Sequence, residues 1–456
     1  VSILVIFCAI VFMYLLVVKP ELIAILFFTI TIADINFELG GLPMNIRAAI
    51  GLALFGRTLL IPNGENHPPF FSDPGMKAIV IFIAYTMLIT AMYDLFDQQF
   101  IKQTGLTLIA VYTAWFYFFK RGNLSLLRIS LIISGLICFA DLLYTYMVAG
   151  DFPVQRVFLV LMKVPTEYDE MGNVLEIYNH NFFGQICGMC FIFLFNEFIN
   201  KRIQNKFTLL LLPIMGLGVL MSTSRSTLLA TIVISLILLA RELRHHSRAK
   251  RVYNILGLLV VAVFMALFVF TFMQDTLHLS KDFVDNITNR LIDEPIQVLN
   301  KALGKNYNAS ELGAMDWREE AAAVAWDKFL RLNFVEQMFG IGTGGFLARH
   351  LGHLDLNPHN GPLLLMIQSG IVGLLYYFIF LGVVLRQSFK APDVSSCALV
   401  TIFVLIFCIG QNEELTSYST LIFVATLIAE SRMRDFQTAA EPDPETGGSI
   451  HPVTTA

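Results

Sequence analysis

The sequence predicts an all-α, polytopic transmembrane helical bundle with one large extracytoplasmic helical loop. Three observations carry that reading. The 456 residues are 56% hydrophobic and only 14% charged, where a soluble domain carries about 25% charge. Mean hydropathy is +0.67. Apolar runs of about 18 residues or more recur along the whole chain, each long enough for a ~30 Å hydrocarbon core. A transmembrane β-barrel would show alternating segments of about ten residues instead.

Taken in order, the candidate spans are 2–18, 21–37, 46–62, 77–93, 103–119, 127–148, 181–199, 207–222, 225–240, 254–273, 360–385, 396–411 and 415–430. That is about twelve or thirteen crossings, because Lys19-Pro20 can mark a hairpin in place of two full spans. The first run lacks a small-residue cleavage site and reads as a retained helix, not a signal peptide. The expected organisation is helices over 1–273 with an outer loop at 149–180, a large loop at 274–359, helices over 360–430 and a polar tail at 431–456. The tail, rich in Pro and Gly, is expected to be disordered in the cytoplasm.

Orientation follows from the basic clusters, which favour the cytoplasmic side. They are Lys120-Arg121 with Arg128, Lys201-Arg202 with Lys206, Arg241 to Arg251, Arg386 with Lys390, and Arg432 with Arg434. Loops 38–45, 94–102, 149–180, 274–359 and 411–414 are then extracytoplasmic. The run "RELRHHSRAKR" is basic enough to suggest nucleic acid, but a membrane-proximal basic loop facing anionic lipid accounts for it. Nucleic acid is not an expected partner. Six cysteines lie inside apolar runs, and the Cys187-Gly-Met-Cys190 spacing has no second Cys/His pair beside it, so these read as packing thiols.

Two outer loops carry structure of their own. In 149–180, Met171-Gly172-Asn173 separates two short alternating segments, the pattern of a small hairpin. In 274–359, "WREEAAAVAWDKFLRL" reads as a helix with Glu319 and Glu320 near its start and Lys328 and Arg331 near its end, as the helix dipole favours. Ala321, Val324, Ala325, Phe329 and Leu332 form its apolar stripe. This loop is expected to fold back over the membrane opening as a lid.

The residues that can carry chemistry lie on the outer side. Arg225, in "STSRST" between two spans, can hold a phosphate bidentately; the plainer alternative is a snorkelling side chain. Arg318 in the loop helix and Arg290 upstream can reach an anion at the bilayer surface, or Arg318 can simply pair with Glu319 or Glu320. Arg47 starts the span after loop 38–45 and is a further candidate substrate-binding residue. "GIGTGGF" resembles a phosphate loop only weakly, since no Lys-Ser/Thr follows, and tight backbone turning suits it better. In "NPHNGPLLLMIQSGIVG", His359 titrates near neutrality and can take a proton from a hydroxyl nucleophile. His359 or Asn360 can also cap the helix that follows. His350, His353 and Asp355 lie nearby, but no further carboxylate or cysteine completes a metal site, and none is expected.

At these residues the sequence resembles the O-antigen ligase/polymerase superfamily. His359-Asn360, nine intervening residues and Gly370-Ile371-Val372-Gly373 fit a pattern of the O-antigen ligases. "SRST" at the outer end of a span, then a long late loop holding an Arg-plus-Trp helix, "GIGTGGF" and "PHN", repeats the wider arrangement over roughly 205–385. The resemblance implies a GT-C-like, metal-independent, inverting glycosyltransferase with no cofactor, in a bacterial inner membrane and acting at the periplasmic face. The implied donor is a glycan on undecaprenyl pyrophosphate, and the acceptor is lipid A–core or another glycan. By that resemblance Arg225 and Arg318 would bind the pyrophosphate leaving group, and His359 would orient or deprotonate the acceptor hydroxyl; Arg290, Asn360 and Arg47 are candidate substrate-binding residues beside them. Three readings stay open: ligase, repeat-unit polymerase, and a transporter of polysaccharide precursors. A transporter places charges at mid-membrane, often in broken helices; here only Asp34 and Asp141 are clearly acidic residues well inside spans.

Overall fold

Apolar runs without water must satisfy their backbone internally, and helices are how this chain does it. In the computed structural model the described residues are 2–33, 37–39, 42–44, 46–60, 70–93, 98–120, 124–149, 156–157, 167–168, 174–175, 178–200, 206–222, 224–243, 293–306, 314–343, 360–390, 395–409, 415 and 417–440. The helices are α1 (Ser2–Val18), α2 (Pro20–Ala33), α3 (Ile46–Leu60), α4 (Pro74–Met92), α5 (Gln98–Trp115, continued by a π turn at Phe116–Lys120), α6 (Leu124–Ala149), α7 (His180–Ile199), α8 (Lys206–Met221) and α9 (Arg225–Leu243). The loop holds α10 (Glu294–Ala302), α11 (Ala314–Arg331) and α12 (Phe334–Phe339). The chain then forms α13 (Gly361–Phe389), α14 (Ser396–Ile409) and α15 (Tyr418–Ala440).

The protein is an all-α polytopic bundle, but the crossings are less uniform than the apolar runs suggest. Among the described residues, four helices are long and apolar enough to cross a membrane: Pro74–Met92, Leu124–Leu143, Asn181–Ile199 and Gly361–Phe389. Helices α1 and α2 bend by 113° at Lys19-Pro20, and together they make at most one more. Three shorter apolar helices, Thr104–Phe118, Leu209–Met221 and Ser396–Ile409, also belong to the bundle. The expected span at 254–273 lies outside the described residues, as does the tail from 441 onward.

Helix α7 sits at the centre, packed against α6, α8, α9 and α14. Its Cys187 and Cys190 are fully buried and free. A Cβ on Gly218 of α8 would lie 2.7 Å from the Cys187 sulfur, and one on Gly135 of α6 would lie 3.1 Å from Cys190 Cβ. The two thiols fill the gaps left by those glycines, the packing role expected of them. The short strands Glu167–Tyr168 and Val174–Leu175 pair antiparallel around Met171-Gly172-Asn173, giving the expected hairpin. Two further ladders join Arg156–Val157 to Tyr178–Asn179 and Phe37–Leu39 to Leu42–Met44.

The two ends of the bundle differ in character. Asp73 caps α4 by accepting from the backbone of Gly75 and Met76, and it pairs with Arg432 of α15 at 3.1 Å. At the same end Asn196 and Glu197 of α7 bond Ser396 of α14, and Ser395 bonds Glu430 of α15. A cavity of about 200 Å³, lined by Arg128, Glu197, Ser396 and Glu430 among others, opens there. Arg128 of one basic cluster lines that cavity and Arg432 of another pairs with Asp73, so these two share one face. Helices α4 and α13 run antiparallel from that face: Tyr376 of α13 bonds the Ala78 carbonyl, and nearer the other end Tyr85 bonds the Ser369 carbonyl. The opposite face carries the α11–α12 loop and the start of α13.

Candidate active site

Helix α13 begins at a capped turn. Asn360 has extended backbone and its side-chain oxygen accepts from Leu363 N at 3.0 Å, with Pro362 in the first turn where its missing N–H costs nothing. Capping therefore falls to Asn360 and leaves His359, the preceding residue, without that duty. His359 itself lies outside the described residues, as do Arg290, His350, His353 and Asp355.

The apolar run that follows is not one continuous helix. Gly370 has φ 69° and ψ 179°, a conformation that side chains of the L series rarely adopt. The break strands the carbonyls at the end of the first half, which a continuous helix would have bonded to its own N–H groups. Three consecutive ones are met from elsewhere. The Ile367 carbonyl accepts from Ile341 N at 3.1 Å, and the Gln368 carbonyl accepts from Gly342 N at 3.0 Å. The Ser369 carbonyl accepts from the Tyr85 hydroxyl at 2.8 Å. The glycines at 370 and 373 both serve this junction. Gly370 supplies the break, and a Cβ on Gly373 would lie 3.1 Å from the Tyr85 ring.

The partner of the break is "GIGT" after α12. Gly340 ends α12 with φ 88°, and a Cβ there would strike the Gln368 carbonyl. A Cβ on Gly370 would in turn strike the Met338 carbonyl. Two backbones thus meet glycine against glycine, so tight turning is what this run does, as expected for its described part. Thr343 N donates to the Thr90 hydroxyl at 3.0 Å and fixes the far end to α4.

Helix α11 docks through its expected stripe. Ala325 and Phe329 are buried in a small cluster with Ile341, Met366 and Ile367, and Val324, Leu332 and Leu363 pack around it. The loop thus rests on the first half of α13. The elbow between α11 and α12 is held by Gln337, whose amide donates to the carbonyls of Phe329, Leu330 and Leu332 at 3.0–3.3 Å. A capping box between Asn333 and Glu336 starts α12. Arg318 lies in the second turn of α11 and its side chain is outside the described set. Glu319, its alternative partner, is paired with Lys301 of α10 at 2.9 Å. That exposed pair contributes under about 1 kcal/mol.

Arg225 is the first residue of α9 and is half-buried. The hydroxyls around it turn inward. Ser222 donates to the Val219 carbonyl at 2.7 Å, and Thr227 donates to Ser224 at 2.9 Å. A Cβ on Gly184 of α7 would strike Ser222, so the turn is wedged against α7. Both hydroxyls serve the turn. Arg47 is buried in the first turn of α3, which packs on α2 and α5. Packing joins the Arg318 helix to the Asn360 turn, whereas α9 and α3 pack on other helices. Tyr85 and Gln337, which organise the junction, carried no signal in the sequence. Among the described residues no group of three or more His, Cys, Asp or Glu is close enough to hold a metal ion.

A family model described as O-antigen ligase matches residues 210–378, from within α8 to within α13. That segment contains the Arg225 turn, the loop and the broken first half of α13. No curated protein matches the chain. Residues 210–378 of this multi-pass membrane protein are thus similar to the O-antigen ligase family, and the match supports a membrane glycosyltransferase of that general type.

Proposed function

We propose that the protein transfers a glycan from an undecaprenyl-pyrophosphate carrier to an acceptor hydroxyl at the periplasmic face of a bacterial inner membrane, as an O-antigen ligase does. The observation that carries this reading is the docked unit of α11 and α13 within the family segment. A loop helix bearing Arg318 rests on the half-helix whose capped start directly follows His359.

The chemistry is a single displacement. The acceptor oxygen attacks the anomeric carbon from the face opposite the pyrophosphate, which inverts the centre. The carbon–oxygen bond to pyrophosphate breaks and its electron pair leaves on the phosphate oxygen. His359 takes the acceptor proton. Negative charge grows on the leaving group, and preorganised guanidinium groups of Arg225 and Arg318 stabilise it in a low-dielectric cleft. Arginine stays protonated there, so a divalent ion is dispensable. Asn360 and the arginines at 47 and 290 would hold the sugar or the phosphates.

The broken helix does not favour a transporter. Mid-membrane breaks in transporters offer free carbonyls to ions. Here the carbonyls of Ile367, Gln368 and Ser369 are already bonded by protein donors.

Reconstitution tests the reading. Purified protein with lipid-linked oligosaccharide and lipid A–core is expected to yield glycosylated lipid A–core, read by gel and mass spectrometry. A ladder of lengthened carrier-linked glycan would identify a polymerase acting at the same site, and neither product from verified substrates would defeat glycosyl transfer. In that assay Arg225→Lys is expected to lose about tenfold to a hundredfold in rate, because a point charge cannot replace the planar fork. Wild-type turnover in that variant would reduce Arg225 to a topology determinant.

A further inference from the structure

We propose that Tyr85, on α4, is a positioning residue that latches the α11–α12 loop onto the break in α13. The inference rests on the glycosyl-transfer reading for its effect on rate, but its structural half stands alone. The Tyr85 hydroxyl lies 2.8 Å from two backbone oxygens, those of Phe339 at the end of α12 and Ser369 beside the break. It thus touches both sides of the junction, and nothing else among the described residues donates to either of those carbonyls across it. A hydroxyl has one hydrogen, which the two acceptors share. Gly373 leaves the room the ring needs.

The consequence follows from what the junction joins. One side leads back through α12 and the Gln337 elbow to α11 and Arg318. The other side is the half-helix Gly361–Ser369, about 13 Å long at 1.5 Å per residue, which ends at the Asn360 cap beside His359. The leaving-group arginine and the acceptor base therefore belong to two bodies, and Tyr85 with the Ile341 and Gly342 amides sets their register. Alignment of this kind governs the rate of the chemical step more than the binding of either substrate.

The test uses the full chain in lipid nanodiscs and the variant Tyr85→Phe, which keeps the ring and removes the hydroxyl. Tyr376→Phe is the control, since Tyr376 also bonds a backbone carbonyl across α4 and α13 but away from the loop. Hydrogen exchange at the Ile341 and Gly342 amides is expected to quicken about tenfold in Tyr85→Phe, the effect of one lost hydrogen bond, and to stay unchanged in Tyr376→Phe. Transfer kinetics are expected to show kcat down about tenfold with the donor KM within about twofold. Unchanged exchange at those amides overturns the latch, and faster exchange with unchanged kcat overturns its positioning role. Equal effects from both variants assign the result to general helix packing and also overturn it. A wild type inert on verified substrates defeats the glycosyl-transfer reading instead, while the exchange arm still decides whether Tyr85 holds the loop.

Discussion

Replacing His359 with alanine is expected to lower the transfer rate by about 10²- to 10⁴-fold, the range for loss of a general base, with the fold intact. The expectation has a structural basis even though His359 lies beyond the described residues. A residue at the lip of a helix has an ordinary job, which is to cap it, and here Asn360 does that through Leu363 N. Removing His359 therefore leaves the start of α13 supported. Asn360→Ala gives the opposite profile: about 1 kcal/mol of local stability lost with the cap, and a smaller loss of rate. Single-turnover measurements with thermal unfolding of both variants separate the two roles. Full activity in His359→Ala would remove the acceptor-base assignment, and a large fall in melting temperature would return the residue to a structural part.

The two variants also show which features were legible in the sequence. The apolar runs gave the helical class, and the stripe from Ala321 to Leu332 gave the docking side of α11. Each of those signals is local or periodic. The break at Gly370 is neither. It sits inside an uninterrupted apolar run, where a pair of glycines three positions apart reads as a site of close helix packing. What decides the break is a set of donors from distant chain: Ile341, Gly342 and Tyr85, the last 284 residues away. Tyr85 is one aromatic among many in an apolar helix, and no spacing marks it. In "STSRST" the sequence marked Arg225 but not the turn around it, where Ser222 and Thr227 bond inward. The 113° bend between α1 and α2, in contrast, falls at Lys19-Pro20, where a proline marked a hairpin in place of two full spans.

Gly370→Ala is expected to undo the junction and with it the site. Two costs add. A φ of 69° is unfavourable for alanine by about 1 kcal/mol or more. The new Cβ also meets the Met338 carbonyl, a backbone atom that no rotamer change can move aside. Straightening α13 would relieve both, because the Ile367 and Gln368 carbonyls would regain donors from their own helix. It would also strip partners from the Ile341 and Gly342 amides, and buried orphan donors cost about 1–3 kcal/mol each. The loop is therefore expected to leave α13, with transfer down at least about a hundredfold through misalignment and the 340–343 amides exposed to exchange. Gly382→Ala in the same helix is the control. Its Cβ would meet nothing within 4 Å, and helix propensity makes that variant more stable by about 0.5–1 kcal/mol. If Gly370→Ala kept its activity and its protected amides while Gly382→Ala behaved as stated, the break would be a tolerated irregularity, and the register between Arg318 and His359 would have to be set by the α11 stripe alone.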